Sequence, residues 1–185
     1  FRESCEIRLM TLSNDEQRTV LKDEKLTGCG KNSVSARISW APDGNSLLYS
    51  SAETDEARMA MFNYDFQTKN ARQLLLPSPL GFGDFVARYS HQGDKIAFLR
   101  DIAGEAVQLW LMDLRSQETV MIRQLENAYP ADLVWSSDDK MILFSAFNNS
   151  IEKVNLSKPV QETAIITDNR IYELLLTPQN NFIGS

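Results

Sequence analysis

The sequence is poor in the side chains that most often do chemistry. Its 185 residues include one histidine, His91, and two cysteines, Cys5 and Cys29. One imidazole and two distant thiols do not make a tetrahedral ligand set, so no metal site is expected. No Gly-x-Ser-x-Gly elbow occurs, and acyl transfer by a Ser-His-Asp arrangement within this chain is not expected. No apolar run approaches the roughly 18 to 20 residues that span a bilayer, and residues 74–79 are interrupted by Pro77 and Pro79. The chain opens at Phe1 without a charged segment leading into an apolar one, so any targeting segment is expected outside it. It reads as a piece of something larger.

A concentrated positive charge is also missing. The 25 acidic residues outnumber the 19 basic ones, and the lysines and arginines are scattered, which leaves no footprint for nucleic acid. With 43% hydrophobic residues the chain can nonetheless bury a core as a soluble globular protein.

What the sequence does contain is a repeat. Trp40-Ala-Pro-Asp-Gly-Asn-Ser-Leu-Leu-Tyr49, Tyr89-Ser-His-Gln-Gly-Asp-Lys-Ile-Ala-Phe98 and Trp135-Ser-Ser-Asp-Asp-Lys-Met-Ile-Leu-Phe144 align without a gap, and a weaker copy starts at Leu176. Each has an aromatic, a polar turn and an apolar run closed by a second aromatic, the pattern of a tight hairpin between buried strands. The copies start at 40, 89, 135 and 176, a spacing typical of propeller blades. A second apolar strand ending in Asp65-Phe66, Asp113-Leu114 or Asn155-Leu156 follows each hairpin, then a turn and one more strand. Apolar runs are continuous and no 3.6-residue stripe appears. The expected fold is all-β: a β-propeller of four-stranded blades, with about three complete blades and two half-blades, forming a closed four-bladed ring or an arc of a larger one. The units fall at about 1–30 (half), 34–80, 83–127, 129–168 and 170–185 (half), in one domain. An open arc exposes apolar end faces and tends to dimerise, so a homodimer is among the expected assemblies.

The hairpin at Ile38-Ser-Trp-Ala-Pro-Asp-Gly44 resembles the Trp-Ser-Pro-Asp-Gly hairpin of TolB-like propellers, with His91-Gln-Gly93 and Ser137-Asp-Asp139 as looser copies. TolB-like repeats occur in periplasmic TolB, in the propellers that cap prolyl-oligopeptidase-like peptidases, and in the outer regions of CadC-like winged-helix transmembrane regulators. The resemblance implies a binding role without catalysis or cofactor. It points to a periplasmic sensor domain, tethered to the inner membrane by sequence outside this chain. A peptidase cap or a TolB-like envelope scaffold are the alternatives. The expected partner is a protein, peptide or small polar ligand, with no direct nucleic-acid contact.

Loops entering the blades and loops joining second to third strands share one face of a propeller. The ligand-binding candidates are Phe82, Phe85, Tyr129 and Tyr172 in entering loops, and Arg88 near an innermost strand, with Glu53, Asp55, Asp101 and Asn148 in the other loops. The same rings could instead cover blade edges, and Arg88 could pair with an acidic neighbour. His91 is expected to be an exposed turn residue, and Gly81-Phe-Gly-Asp84, which lacks the third glycine and lysine of a phosphate loop, a linker between blades. Cys5 and Cys29 bracket a hairpin and a loop, and a disulfide between them would add about 3 kcal/mol on loop-closure entropy. Two buried thiols in a cytosolic protein are the alternative. Both Trp40 and Trp135 are expected to fill the space between blades.

Overall fold

The computed structural model describes residues 5–23, 38–51, 58–103, 107–125, 132–145, 149–158, 161–166, 174–176 and 182–184. Every regular element among them is a strand. The first hairpin is β1 (Cys5–Thr11) with β2 (Glu16–Asp23). Blade one holds β3 (Ser39–Trp40), β4 (Ser46–Ser51), β5 (Ala60–Asp65) and β6 (Asn70–Gln73). Blade two holds β7 (Gly83–Tyr89), β8 (Lys95–Asp101), β9 (Val107–Asp113) and β10 (Thr119–Leu125). Blade three holds β11 (Leu133–Trp135), β12 (Met141–Ser145), β13 (Ser150–Asn155) and β14 (Gln161–Ile166). The last hairpin is β15 (Leu174–Leu176) with β16 (Phe182–Gly184). Each blade is an antiparallel meander in chain order, and the two end hairpins form separate two-stranded sheets.

The repeated turns explain why the meanders recur. In the first turn of each blade an amide bonds back three residues: Gly44 to the Ala41 carbonyl at 2.9 Å, Gly93 to Ser90 at 3.0 Å and Asp139 to Ser136 at 2.9 Å. In the turn after the third strand, Asp65 accepts the Thr68 amide at 2.7 Å, Asp113 the Arg115 and Ser116 amides at 2.9 Å, and Asn155 the Ser157 amide at 3.0 Å. These bonds favour the ionised carboxylate and hold Asp65 and Asp113 below the ordinary aspartate value. The residue after each aspartate or asparagine then ties the two turns together: Phe66 donates to the Asn45 carbonyl at 3.0 Å, Leu114 to Asp94 at 2.9 Å and Leu156 to Lys140 at 2.9 Å. The Asp-Leu signature is thus a hydrogen-bonding device that repeats with the blade.

The second strands are buried along most of their length, as expected when blades sandwich them. Leu48, Phe98 and Phe144 are all fully buried. One core cluster joins Phe85, Leu99 and Leu109 of blade two to Leu133, Trp135 and Phe144 of blade three, and another joins Leu48 and Met61 of blade one to Ala87, Phe98 and Met112 of blade two. The core therefore lies between sheets rather than within any one of them.

Trp135 meets its expectation, at 3% exposed, with its indole Nε1 donating to the Arg88 carbonyl of the preceding blade at 3.0 Å. Trp40 does not. It is 46% exposed and stacks on Phe66 of its own blade, ring centroids 5.1 Å apart. Among the described residues the sheet before it has two strands, β1 and β2.

The third copy of the turn carries aspartate where the first two carry glycine. Gly44, Gly93 and Asp139 have φ of 72°, 72° and 54°, a left-handed conformation that an aspartate adopts at some cost. The compensation comes from the neighbouring blade. Asp139 accepts the His91 amide at 2.9 Å, the Gln92 amide at 3.0 Å and His91 Nδ1 at 2.9 Å. At the previous junction Pro42 stands where His91 does and has no amide to satisfy, and a Cβ on Gly93 would lie 3.4 Å from the Pro42 ring. Proline with glycine, and histidine with aspartate, are two solutions to one contact. Asp139→Gly is expected to cost about 1 to 2 kcal/mol, because lost hydrogen bonds to a charged acceptor outweigh the relieved backbone. His91→Pro in the same chain should recover part of that loss. A denaturant double-mutant cycle checks this, and strictly additive losses would contradict the exchange.

Candidate functional site

Two layers of polar contacts converge on the first strands, which touch one another in succession from blade to blade. Arg88 Nη1 donates to the Ile38 carbonyl of blade one at 2.9 Å, and Nη2 to Asp132 Oδ1 of blade three at 2.7 Å. Asp132, wholly buried, also accepts the Leu133 amide at 2.9 Å and, through Oδ2, the Leu174 amide of the last half-blade at 3.2 Å. The Tyr89 amide reaches Ser39 Oγ at 3.2 Å. A polar belt thus crosses all three junctions from blade one to the last hairpin. Arg88 belongs to this belt rather than to a ligand surface: its guanidinium bridges two blades and its side chain is mostly buried.

Nearer the loops, Arg100 makes a bidentate pair with the buried carboxylate of Asp84, at 2.6 and 3.0 Å. The same guanidinium lies over the Trp110 and Phe98 rings, 4.8 and 5.3 Å from their centroids. Burial pushes the Asp84 carboxyl above the ordinary aspartate value, and Arg100 pulls it back.

The entering loop of blade two is built to a tight tolerance. Met59, just before β5, donates to the Phe82 carbonyl at 2.8 Å and accepts the Asp84 amide at 2.9 Å. Gly83 has φ of 100°, and a Cβ there would lie 2.3 Å from the Met59 carbonyl oxygen. Gly81 has φ of 70°, and a Cβ there would meet the Ala103 backbone nitrogen at 2.3 Å. Only glycine fits both places. Between them, Phe82 is held by its amide on Asp101 Oδ2 at 3.2 Å, and Asp101 Oδ1 accepts the Ala103 amide at 2.9 Å. The expected meeting of the entering loop with the loop between second and third strands is present here, between Phe82 and Asp101.

Residues 74–82 lead from the outermost strand of blade one to the innermost strand of blade two. Leu74 and Leu75 pack on the core between these blades, while Leu76, Leu80 and Phe82 are exposed. Leu80 is 58% exposed although its amide is pinned to Ser78 Oγ at 3.2 Å. The strap is therefore an ordered display of apolar side chains.

Phe85 requires a correction. Expected on the ligand face, it is 2% exposed in the core. The ladder between β7 and β8 shifts register between Asp84 and Val86, and this bulge breaks the alternation that would have turned the ring outward. Its edge meets Phe82 at a centroid distance of 6.3 Å, so it supports the exposed ring from below. His91 is exposed, as expected, though its clamp on Asp139 was not anticipated. Tyr129, Tyr172, Glu53, Asp55 and Asn148 lie outside the described residues, as does Cys29 and with it the expected bridge to Cys5.

The fold is that of a TolB-like β-propeller. Solved structures similar to this chain include TolB from Acinetobacter baumannii, with a TM-score of 0.72 and 14% identity over 96% of this chain and 42% of that one. An oligogalacturonate lyase in complex with manganese matches with a TM-score of 0.72 and 12% identity, over 97% of this chain and 50% of the other. The nidogen/laminin complex matches with a TM-score of 0.69 and 10% identity, over 91% and 59%. This chain therefore spans between 42 and 59% of those longer chains. No family model matches it, and neither does any curated protein.

Proposed function

We propose that this chain is a non-catalytic binding module whose loop face, centred on Phe82 and the strap 74–82, engages a protein partner or the extended end of one. The observation that carries the reading is a division of labour. Arg88, Asp132, Asp84, Arg100 and the sole histidine are tied into contacts within and between blades, while Leu76, Leu80 and Phe82 are presented to solvent on a braced loop. Exposed apolar side chains on an ordered support suit protein recognition. One of the similar structures is a complex of two proteins, nidogen and laminin, which supports a protein as the partner class. Likeness to TolB supports an extracytoplasmic location, and the hairpin resemblance supports a sensor attached to a CadC-like regulator. The lyase among the similar structures is an enzyme, so the assignment rests on the site and not on the fold.

The test is complementation of a gene deletion by the intact protein. Phe82→Asp is expected to abolish complementation with a melting temperature unchanged to within about 2 °C, since the ring is already exposed. His91→Ala is expected to retain complementation. Loss of function in a folded His91→Ala protein would overturn the non-catalytic reading.

A further inference from the structure

Residues 74–82 carry no charged side chain, and they include two prolines, Pro77 and Pro79, set one residue apart. They lie outside every strand, between β6 and β7. A proline ring fixes its own φ near about −65° and steers the residue before it to extended backbone. Leu76-Pro77-Ser78-Pro79 is therefore held to a polyproline II helix by its covalent structure. The run ends at Gly81, whose φ of 70° turns the chain towards β7.

Burial along the run follows the matching period. A polyproline II helix turns once in about three residues and so has three edges. Leu75 packs on the core between blades one and two, and Ser78, three residues on, is 8% exposed. That edge faces the protein. Leu76 and Pro79 form a second edge and are exposed, and Pro77 with Leu80 forms the third, half-buried at the proline and exposed at the leucine. The strap thus rests on one edge and presents the other two to solvent.

Its hydrogen-bonding capacity is lopsided. Pro77 and Pro79 carry no amide hydrogen, and the Leu80 amide is held by Ser78 Oγ at 3.2 Å. The carbonyls of residues 76–80 accept no hydrogen bond among the described residues. Prolines two apart strip the amides from one side of an extended chain, so the run is poorly suited to pairing with a partner's strand. What it offers is open acceptors beside apolar edges.

We propose that residues 76–80 are themselves the recognised element, held as a polyproline II helix in a groove of a partner protein walled by aromatic rings. Planar rings fit against the Leu76-Pro79 and Pro77-Leu80 edges, and a Trp indole N–H or Tyr hydroxyl at the rim of the groove donates to the open carbonyls. A strap without charge matches an apolar groove. Its conformation is set before binding, so little ordering entropy is lost on association. This inference rests on the reading of the loop face as a binding surface and narrows the partner to one chemistry.

The test uses the intact protein with a photo-activated cross-linker at Phe82, in extract of its host. Replacing both prolines, Pro77→Ala with Pro79→Ala, should cut the yield of the cross-linked protein by about tenfold, because the helix is no longer preset. The variant should keep a cooperative melting transition, lowered by about 2 to 8 °C through the added freedom of the unfolded chain. With the prolines in place, an excess of an oligoproline peptide of about ten residues should suppress the same cross-link, since it fills the same kind of groove. A cross-link that survives both the substitutions and the peptide would overturn the proposal while leaving the loop face as a binding surface. No cross-link from position 82 in the parent protein would remove that reading, and this inference with it.

Discussion

Asp132→Ala is expected to destabilise the chain by about 3 to 5 kcal/mol, the usual cost of removing one partner from a buried ion pair. The carboxylate is wholly buried and accepts from Arg88 Nη2, the Leu133 amide and the Leu174 amide, among others. Removing it takes the carboxylate from Arg88 Nη2 and leaves two amides beneath the surface to find water or distort the sheet. Because these donors come from blades two, three and the last half-blade, the loss spreads over two junctions. Against a total stability of about 5 to 15 kcal/mol for a domain, it is large. Asp132→Asn keeps an acceptor but not the charge and should lose less. Urea denaturation with an unchanged slope reads the difference. A loss under about 1 kcal/mol for the alanine variant would show that the belt is incidental.

Trp135→Ala is expected to cost about 3 to 5 kcal/mol, and Trp40→Ala under about 1 kcal/mol, although the two residues occupy the same position of the repeat. The first deletion opens a cavity between blades two and three and frees the Arg88 carbonyl. The second removes a ring that already faces water over much of its surface and touches Phe66 of its own sheet. Thermal or chemical unfolding of the chain compares them. Equal losses would contradict the half-exposed setting of Trp40.

The same pair shows how far the sequence could be read. A repeat reports the environment that a residue type is suited to, and a tryptophan before a tight turn is suited to the space between blades. Whether that space is filled depends on the preceding sheet, and for Trp40 that sheet has two strands among the described residues. The turns and the aspartate of the Asp-Leu signature were legible because their hydrogen bonds run between residues two or three apart. The role of Asp139 was not, since its partners His91 and Gln92 lie 48 and 47 residues away. In isolation the loss of glycine there reads as decay of the motif. Phe82 was singled out from its place in an entering loop, and it is exposed there. Phe85, three residues on, was misjudged because a bulge, invisible in the pattern, turned it inward. Arg88 was recognised as an inner-strand residue, and its partner Asp132 could not be singled out because the pairing crosses a blade junction. Residues 81–84 were recognised as a linker, but the close contacts that require glycine there, with Met59 and Ala103, come from distant parts of the chain.

The central claim, that the chain works by binding through the loop face, is tested most directly by a photo-activated cross-linker placed at Phe82 and, separately, at Val120 in the intact protein in its host. Val120 is similarly open to solvent but lies on β10, the outer strand of blade two. The account predicts a discrete cross-linked protein from position 82 and none from position 120. Cross-links from position 120 alone, or from neither position, would contradict it.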